Sequence, residues 1–189
     1  MKSILISIRP QWCEKIASGK KTIEVRKNMP KQVPFKAYIY CSKEKKQDDI
    51  IWAGAFGDRG KWNGHVIGEF ICNKVYNLVN AFGGIMFADE NLNQLEPQLF
   101  RDMSCLTDEQ TADYLGDKDG YGLHITDLKI YDKPKELSEF YRPCSYSGIC
   151  YSCNRFRPNG TPNDKPNDFC DGEITRPPQS WQFVEELEK

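Results

Sequence analysis

The chain reads as an α+β protein whose short strands close into a small β-barrel or a strongly bent sheet, with a few short helices. Three observations predict this: short apolar runs rich in β-branched residues, glycine-bearing connections between them, and helical patterning confined to brief segments. At 189 residues the chain is long enough for one domain with a sizeable core, or for a smaller domain carrying a large insertion. The second option fits the composition better. Hydrophobic residues make up 39% and charged residues 28%, while 14 glycines and 11 prolines point to long loops in a globular protein rather than to disorder.

The elements follow in order. Residues 4–8, Ile-Leu-Ile-Ser-Ile, read as a strand. Pro10 suits the first turn of a helix, where its missing donor costs nothing, and Gly19 is placed to end it. Trp12 and Ile16 fall on one face of that helix with Cys13 and Ala17 beside them, so it can dock on a sheet. After Gly19 the period becomes two. Ile23 and Val25 then face the core, and Glu24 and Arg26 project together from the opposite face. Lys21 has the wrong parity to join them unless the turn at Gly19 or strand twist re-aims it.

A third strand is predicted at 36–41, with Phe35, Ala37 and Ile39 facing one way and Tyr38 and Tyr40 the other. A long loop follows, carrying Trp52, Phe56 and Trp62 among several glycines. The strand predicted at 65–75 is interrupted by Gly68, which marks a bulge or bend. Thr107 and Gln110 form a capping-box pattern, so Asp108–Leu115 is predicted as a short helix ending at Gly116. Residues 121–130, containing His124, and 180–184 complete the strands.

Several function classes are excluded by pattern. There is no Gly-x-Gly-x-x-Gly, Walker loop, Gly-x-Ser-x-Gly or His-Glu-x-x-His, and no internal repeat. No run approaches membrane-spanning length, and the apolar run at 4–8 is too short for a secretory signal, so a cytoplasmic protein without a membrane partner is expected.

The net charge of -1 conceals an asymmetry: residues 1–48 hold 12 Lys/Arg against 4 Asp/Glu, a net +8, leaving -9 on the remainder. A basic segment of this kind is the electrostatic footprint of a polyanion site, or else the solvated outer face of strands.

Turn, strand start and charge coincide at Gly19-Lys20-Lys21-Thr22-Ile23-Glu24-Val25-Arg26. An arginine fork holds phosphate bidentately, a desolvated lysine acts as a base, and a carboxylate orients either or accepts from a base edge. The alternative is an ion-paired cluster that only closes the fold. Trp52, Trp62 and Tyr76 are candidates for stacking a nucleobase, against the alternative of core packing.

The segment Ile6-Ser7-Ile8-Arg9-Pro10-Gln11-Trp12, followed by Ile16 and then Gly19-x-Lys21-x-x-Glu24-x-Arg26, resembles the ASCH domain, whose hallmark is Gly-x-Lys-x-x-Glu-x-Arg. Gly68-Glu69-Phe70, the helix after Leu106-Thr107, and Tyr121-Gly122-Leu123-His124-Ile125 are also similar to it. The resemblance covers residues 1–140 and the closing strand.

It implies a small PUA-like β-barrel with a cleft lined by Lys21, Glu24 and Arg26, joined by Arg9 and Trp12 as ligand contacts. It further implies RNA or a nucleotide-like small molecule as partner. Some ASCH proteins are ribonucleases, and one branch removes acetyl from N4-acetylcytidine with a lysine, a threonine and a glutamate. Lys21 matches that lysine, but Glu24 stands where the threonine would be. An RNA- or nucleotide-binding protein is therefore expected first, with hydrolysis by Lys21 and Glu24 as the alternative.

Of the 8 cysteines, Cys13, Cys41, Cys72 and Cys105 lie in or beside apolar runs and read as small buried hydrophobes. Cys144, Cys150, Cys153 and Cys170 instead occupy a polar stretch too poor in apolar residues to fold unaided. Structural Zn2+ on their thiolates would supply the missing stabilisation; an iron-sulfur cluster, disulfides or free thiols are the other options. The expected organisation is a single domain, with 1–140 and 173–189 forming the barrel and 141–172 a cysteine-rich insertion before the last strand.

Overall fold

The computed structural model describes residues 1–43, 62–81, 84–89, 91, 93–143 and 172–187. Within them the chain runs β1 (Lys2–Ile8), α1 (Pro10–Ala17), β2 (Ile23–Arg26), β3 (Phe35–Cys41), β4 (Val66–Cys72), β5 (Val75–Ala81), β6 (Gly84–Ala88), α2 (Pro97–Ser104), α3 (Asp108–Leu115), β7 (Gly120–His124), β8 (Thr126–Lys135), a 3-10 turn (Leu137–Glu139) and β9 (Trp181–Val184).

The strands form two sheets, ordered β8-β4-β3-β1-β9 and β2-β7-β5-β6. All neighbours are antiparallel except β1 and β3, which pair in parallel because α1 and β2 intervene between them. The expected closed barrel is corrected here: the two sheets are not joined into one continuous ring of hydrogen bonds. The physical reason lies at two corners. The segment predicted as one strand at 65–75 leaves its ladder at Asn73-Lys74, and the one predicted at 121–130 leaves at Ile125. Each then continues in the other sheet. Backbone bonds from His124 N to Lys74 O (3.0 Å) and from Ile125 N to Thr22 O (2.8 Å) hold these corners together.

Period-two patterning sorts side chains between cores on the two faces of the five-stranded sheet. Ile4, Ile6 and Ile8 of β1 and Phe35, Ala37, Ile39 and Cys41 of β3 enter one cluster, with Cys13 and Ile16 of α1 against them. Leu5, Tyr38 and Tyr40 enter a second, closed by Phe140, Ile174 and Val184. Burial on both faces explains why these strands read as nearly unbroken apolar runs. The third cluster joins Ile23 and Val25 of β2 to Leu78, Phe87, Phe100 and Leu115, so the four-stranded sheet is covered by α2 and α3.

Gly68 sits where the pairing of β4 with both neighbours shifts register. A Cβ there would come within 2.4 Å of the Lys129 carbonyl oxygen, so the close approach of β8 requires glycine. The capping box at Thr107 and Gln110 forms as expected, and α3 spans the predicted residues. Strand β6, helix α2 and all of β5 beyond Val75 carry no counterpart in the sequence reading. Among the described residues no helix is long and apolar enough to cross a membrane.

Candidate functional site

The site begins with α1. Pro10 opens it, and Gly19, at φ 73°, turns the chain in the left-handed region that glycine adopts without strain. Lys21 then precedes β2 rather than belonging to it, so strand parity does not govern its direction. Its Nζ donates to the Ser104 carbonyl at 2.6 Å and lies 3.4 Å from Glu24 Oε2. Ser104 is the last residue of α2, and a cation at that end meets the helix's unpaired carbonyls and the negative pole of its dipole.

Within β2, Glu24 and Arg26 share the face opposite Ile23 and Val25. Glu24 Oε1 receives Arg26 Nη2 at 2.9 Å, and the same Nη2 donates to the Ser7 carbonyl of β1 at 2.5 Å. The structure thus brings Lys21, Glu24 and Arg26 into one cluster, with one carboxylate between two cations. All three are buried, at 2%, 6% and 7% exposure. Arg26 Nε is buried without a hydrogen-bond partner among the described residues.

Removal of the Glu24 carboxylate alone would strand two buried cations, a change that typically costs about 3–5 kcal/mol. Burial pushes the Lys21 ammonium below its ordinary 10.5, while the Glu24 carboxylate opposes that shift.

The cluster forms the floor of a cavity of 650 Å³. Ser7, Arg9, Trp12 and Lys27 line one part of it, and Gln110, Asp113 and Tyr114 of α3 line another. Among the described residues four cationic side chains (Arg9, Lys21, Arg26, Lys27) face two carboxylates (Glu24, Asp113), leaving that lining net positive. Lys27 Nζ lies 5.5 Å from the Tyr114 ring centre, linking the two sides of the mouth. Trp12 also lines the cavity, and its ring carries Lys15 at 4.8 Å and Lys21 at 5.2 Å in cation-π contacts. That makes Trp12 a seat for the lysines as well as a wall.

Other residues singled out in the sequence go elsewhere. Trp62 packs against the main core and Tyr76 is buried in the third cluster. Neither lines the cavity, and Trp52 lies outside the described residues. His65 pairs with Glu136 at 3.1 Å. His124 bonds to Asn73 at 3.3 Å, and burial and then Lys74 lower its pKa. Cys13, Cys41 and Cys72 are buried, and Cys105 takes the left-handed position after α2 at φ 55°. Burial and then a hydrogen bond with Cys41 push the Cys13 thiol up, which keeps it protonated and inert.

Cys144, Cys150, Cys153 and Cys170 lie outside the described residues. Among the described residues no group of His, Cys, Asp and Glu is arranged to hold a metal. The contribution of α3 to the cavity was missed in the sequence reading. The capping box located that helix, but no local signal places it across from β2.

Fold and site together define an α+β domain of two bent sheets, with a buried ion cluster at the floor of a cationic cleft. The fold is ASCH-like. A serine-to-alanine variant of the ASCH protein from Zymomonas mobilis superposes with a TM-score of 0.54 at 18% identity, over 98% of this chain and 89% of that one. The ASCH structure from Zymomonas mobilis without that substitution gives 0.48 at 20% identity, over 98% and 89%. No family model and no curated protein matches the sequence.

The titration of Lys21 has a consequence for stability. Because its folded pKa lies below the ordinary 10.5, the unfolded chain binds the proton more tightly between the two values. The penalty for burying the ammonium is full below the folded pKa and is relieved as pH rises toward 10.5. Urea unfolding across the alkaline range should show the native protein gaining stability with pH relative to Lys21→Met. A flat or falling difference would show that burial does not control this ammonium.

Proposed function

We propose that the chain binds single-stranded RNA, or a nucleotide-like ligand, in the cleft floored by Lys21, Glu24 and Arg26. The observation that carries this reading is the net-positive lining over a buried cation cluster, in a cavity whose size lies within the usual range for small-ligand sites. One nucleotide unit occupies such a cavity while the rest of a strand remains outside. Arg9 and Lys27 are exposed and placed to meet phosphates, and Arg26 anchors the floor.

Anisotropy titrations of a labelled single-stranded RNA are expected to show affinity that falls with salt. Arg9→Ala with Lys27→Ala should reduce the slope of log affinity against log salt by about 0.7 for each phosphate no longer neutralised. Arg26→Ala should weaken binding further. Absence of binding at low salt, or a slope unchanged in the double variant, counts against the proposal.

A second reading, hydrolysis of RNA or of a modified nucleoside, is favoured by the position of Lys21 in the cavity lining and by burial lowering its pKa, the direction that a base requires. Both carboxylate oxygens of Glu24 already meet cations, so Glu24 would orient Lys21 rather than donate a proton. In a product assay, Lys21→Met should abolish turnover while the circular-dichroism spectrum persists. Turnover that survives the substitution excludes Lys21 as the base.

For Cys144, Cys150, Cys153 and Cys170 the proposed occupant is structural zinc, supported by a donor set of four thiolates. At the two ends of this segment the chain is drawn together: Arg142 N donates to Gly172 O at 2.7 Å, and Tyr141 bridges Glu173. Elemental analysis should give one zinc per chain, lost in a Cys150→Ser, Cys153→Ser variant. Iron in its place, or no metal, overturns the assignment.

A further inference from the structure

We propose that the cleft selects a guanine base, and that Gln110 and Asp113 of α3 read its edge. This rests on the nucleotide-binding reading above and adds to it the identity of the base.

The two residues are three apart on α3, which places their side chains on one helix face as neighbours, and both line the cavity. Gln110 has a defined orientation. Its Oε1 accepts from the Thr107 backbone N–H at 3.1 Å, so its amide carbonyl is committed and its NH2 group remains as a donor. Asp113 forms no hydrogen bond or ion pair among the described residues and is exposed. The other carboxylate of the cavity, Glu24, already receives Lys21 on one oxygen and Arg26 on the other. Asp113 is therefore the lining carboxylate with lone pairs to offer a ligand.

A donor beside a two-oxygen acceptor is complementary to one edge among the four common bases. Guanine presents the O6 acceptor next to two donors, N1–H and the N2 amino group. Uracil offers a single ring donor between two carbonyls. Adenine and cytosine each place one amino group beside a ring-nitrogen lone pair, so they can accept from Gln110 and donate to one oxygen of Asp113 but leave its second oxygen unmatched. Gln110 would donate to O6, and Asp113 would accept from N1–H and N2–H in a bidentate contact. The cations at the floor and rim remain for the phosphate, so the two ends of a guanine nucleotide find opposite chemistry within one cavity.

The test compares GMP with IMP, which lacks only the N2 amino group, and with AMP, by calorimetric titration of the full chain. GMP should bind more tightly than IMP by about fivefold to a hundredfold, the range for a good bidentate base contact. Asp113→Asn should bring GMP down to the level of IMP. Gln110→Glu retains a residue type that completes the capping box yet faces O6 with a carboxylate, and it should also weaken GMP. Equal affinity for GMP and IMP, or a preference that survives Asp113→Asn, overturns the base assignment; if RNA binding persists alongside, the nucleotide-binding reading stands. Loss of all nucleotide and RNA binding in the unaltered protein overturns both.

Discussion

The Glu24 carboxylate, held between the Lys21 ammonium and the Arg26 guanidinium, is the interaction on which the cleft depends. Through Arg26 it reaches the Ser7 carbonyl of β1, and through Lys21 it reaches the Ser104 carbonyl at the end of α2. Three elements distant in sequence are therefore tied by one buried network. Two cations at 2% and 7% exposure would be strongly unfavourable there without the carboxylate. With it, they are held in place but not fully neutralised, and the remaining positive charge is directed at the cavity.

This arrangement links architecture to chemistry. The face of β2 that carries Ile23 and Val25 is committed to the third core, under α2 and α3. The opposite face is thereby left to carry Glu24 and Arg26. Packing the apolar face sets the position of the polar one, and the ion network then sets its geometry. Because α3 packs Leu115 into the same core, its own exposed face, with Gln110 and Asp113, is delivered to the cavity mouth. One hydrophobic cluster thus positions both the cationic floor and the polar wall.

Legibility in the sequence varied with the range of the interactions responsible. Strands β1, β2 and β3, helix α1 and helix α3 were readable because each carries a local signal: β-branched runs, alternation, Pro10 with Gly19, and the Thr107–Gln110 box. The corners at Asn73-Lys74 and Ile125 were not readable, since the residues on both sides continue an apolar strand pattern. Only the pairing of β5 with β7 and of β4 with β8 divides them between sheets. For the same reason a closed barrel was expected where two sheets form. The shared face of Glu24 and Arg26 followed from strand periodicity alone.

What the sequence by itself determined is the set of local choices: which segments extend or coil, which side of β2 is polar, and which charged residues cluster after Gly19. Tertiary structure decided where those choices meet. Lys21 lies outside β2, so its parity carried no information. The Ser104 carbonyl, 83 residues away, and Glu24 draw its ammonium inward. The placement of α3 across the cleft was likewise settled by Leu115 entering the third core, which it shares with Phe100 of α2 and with Ile23 and Val25 of β2, a meeting that no local pattern encodes. Short-range preference is written residue by residue, whereas a binding cavity is the space left when separate elements bury their apolar faces against one another.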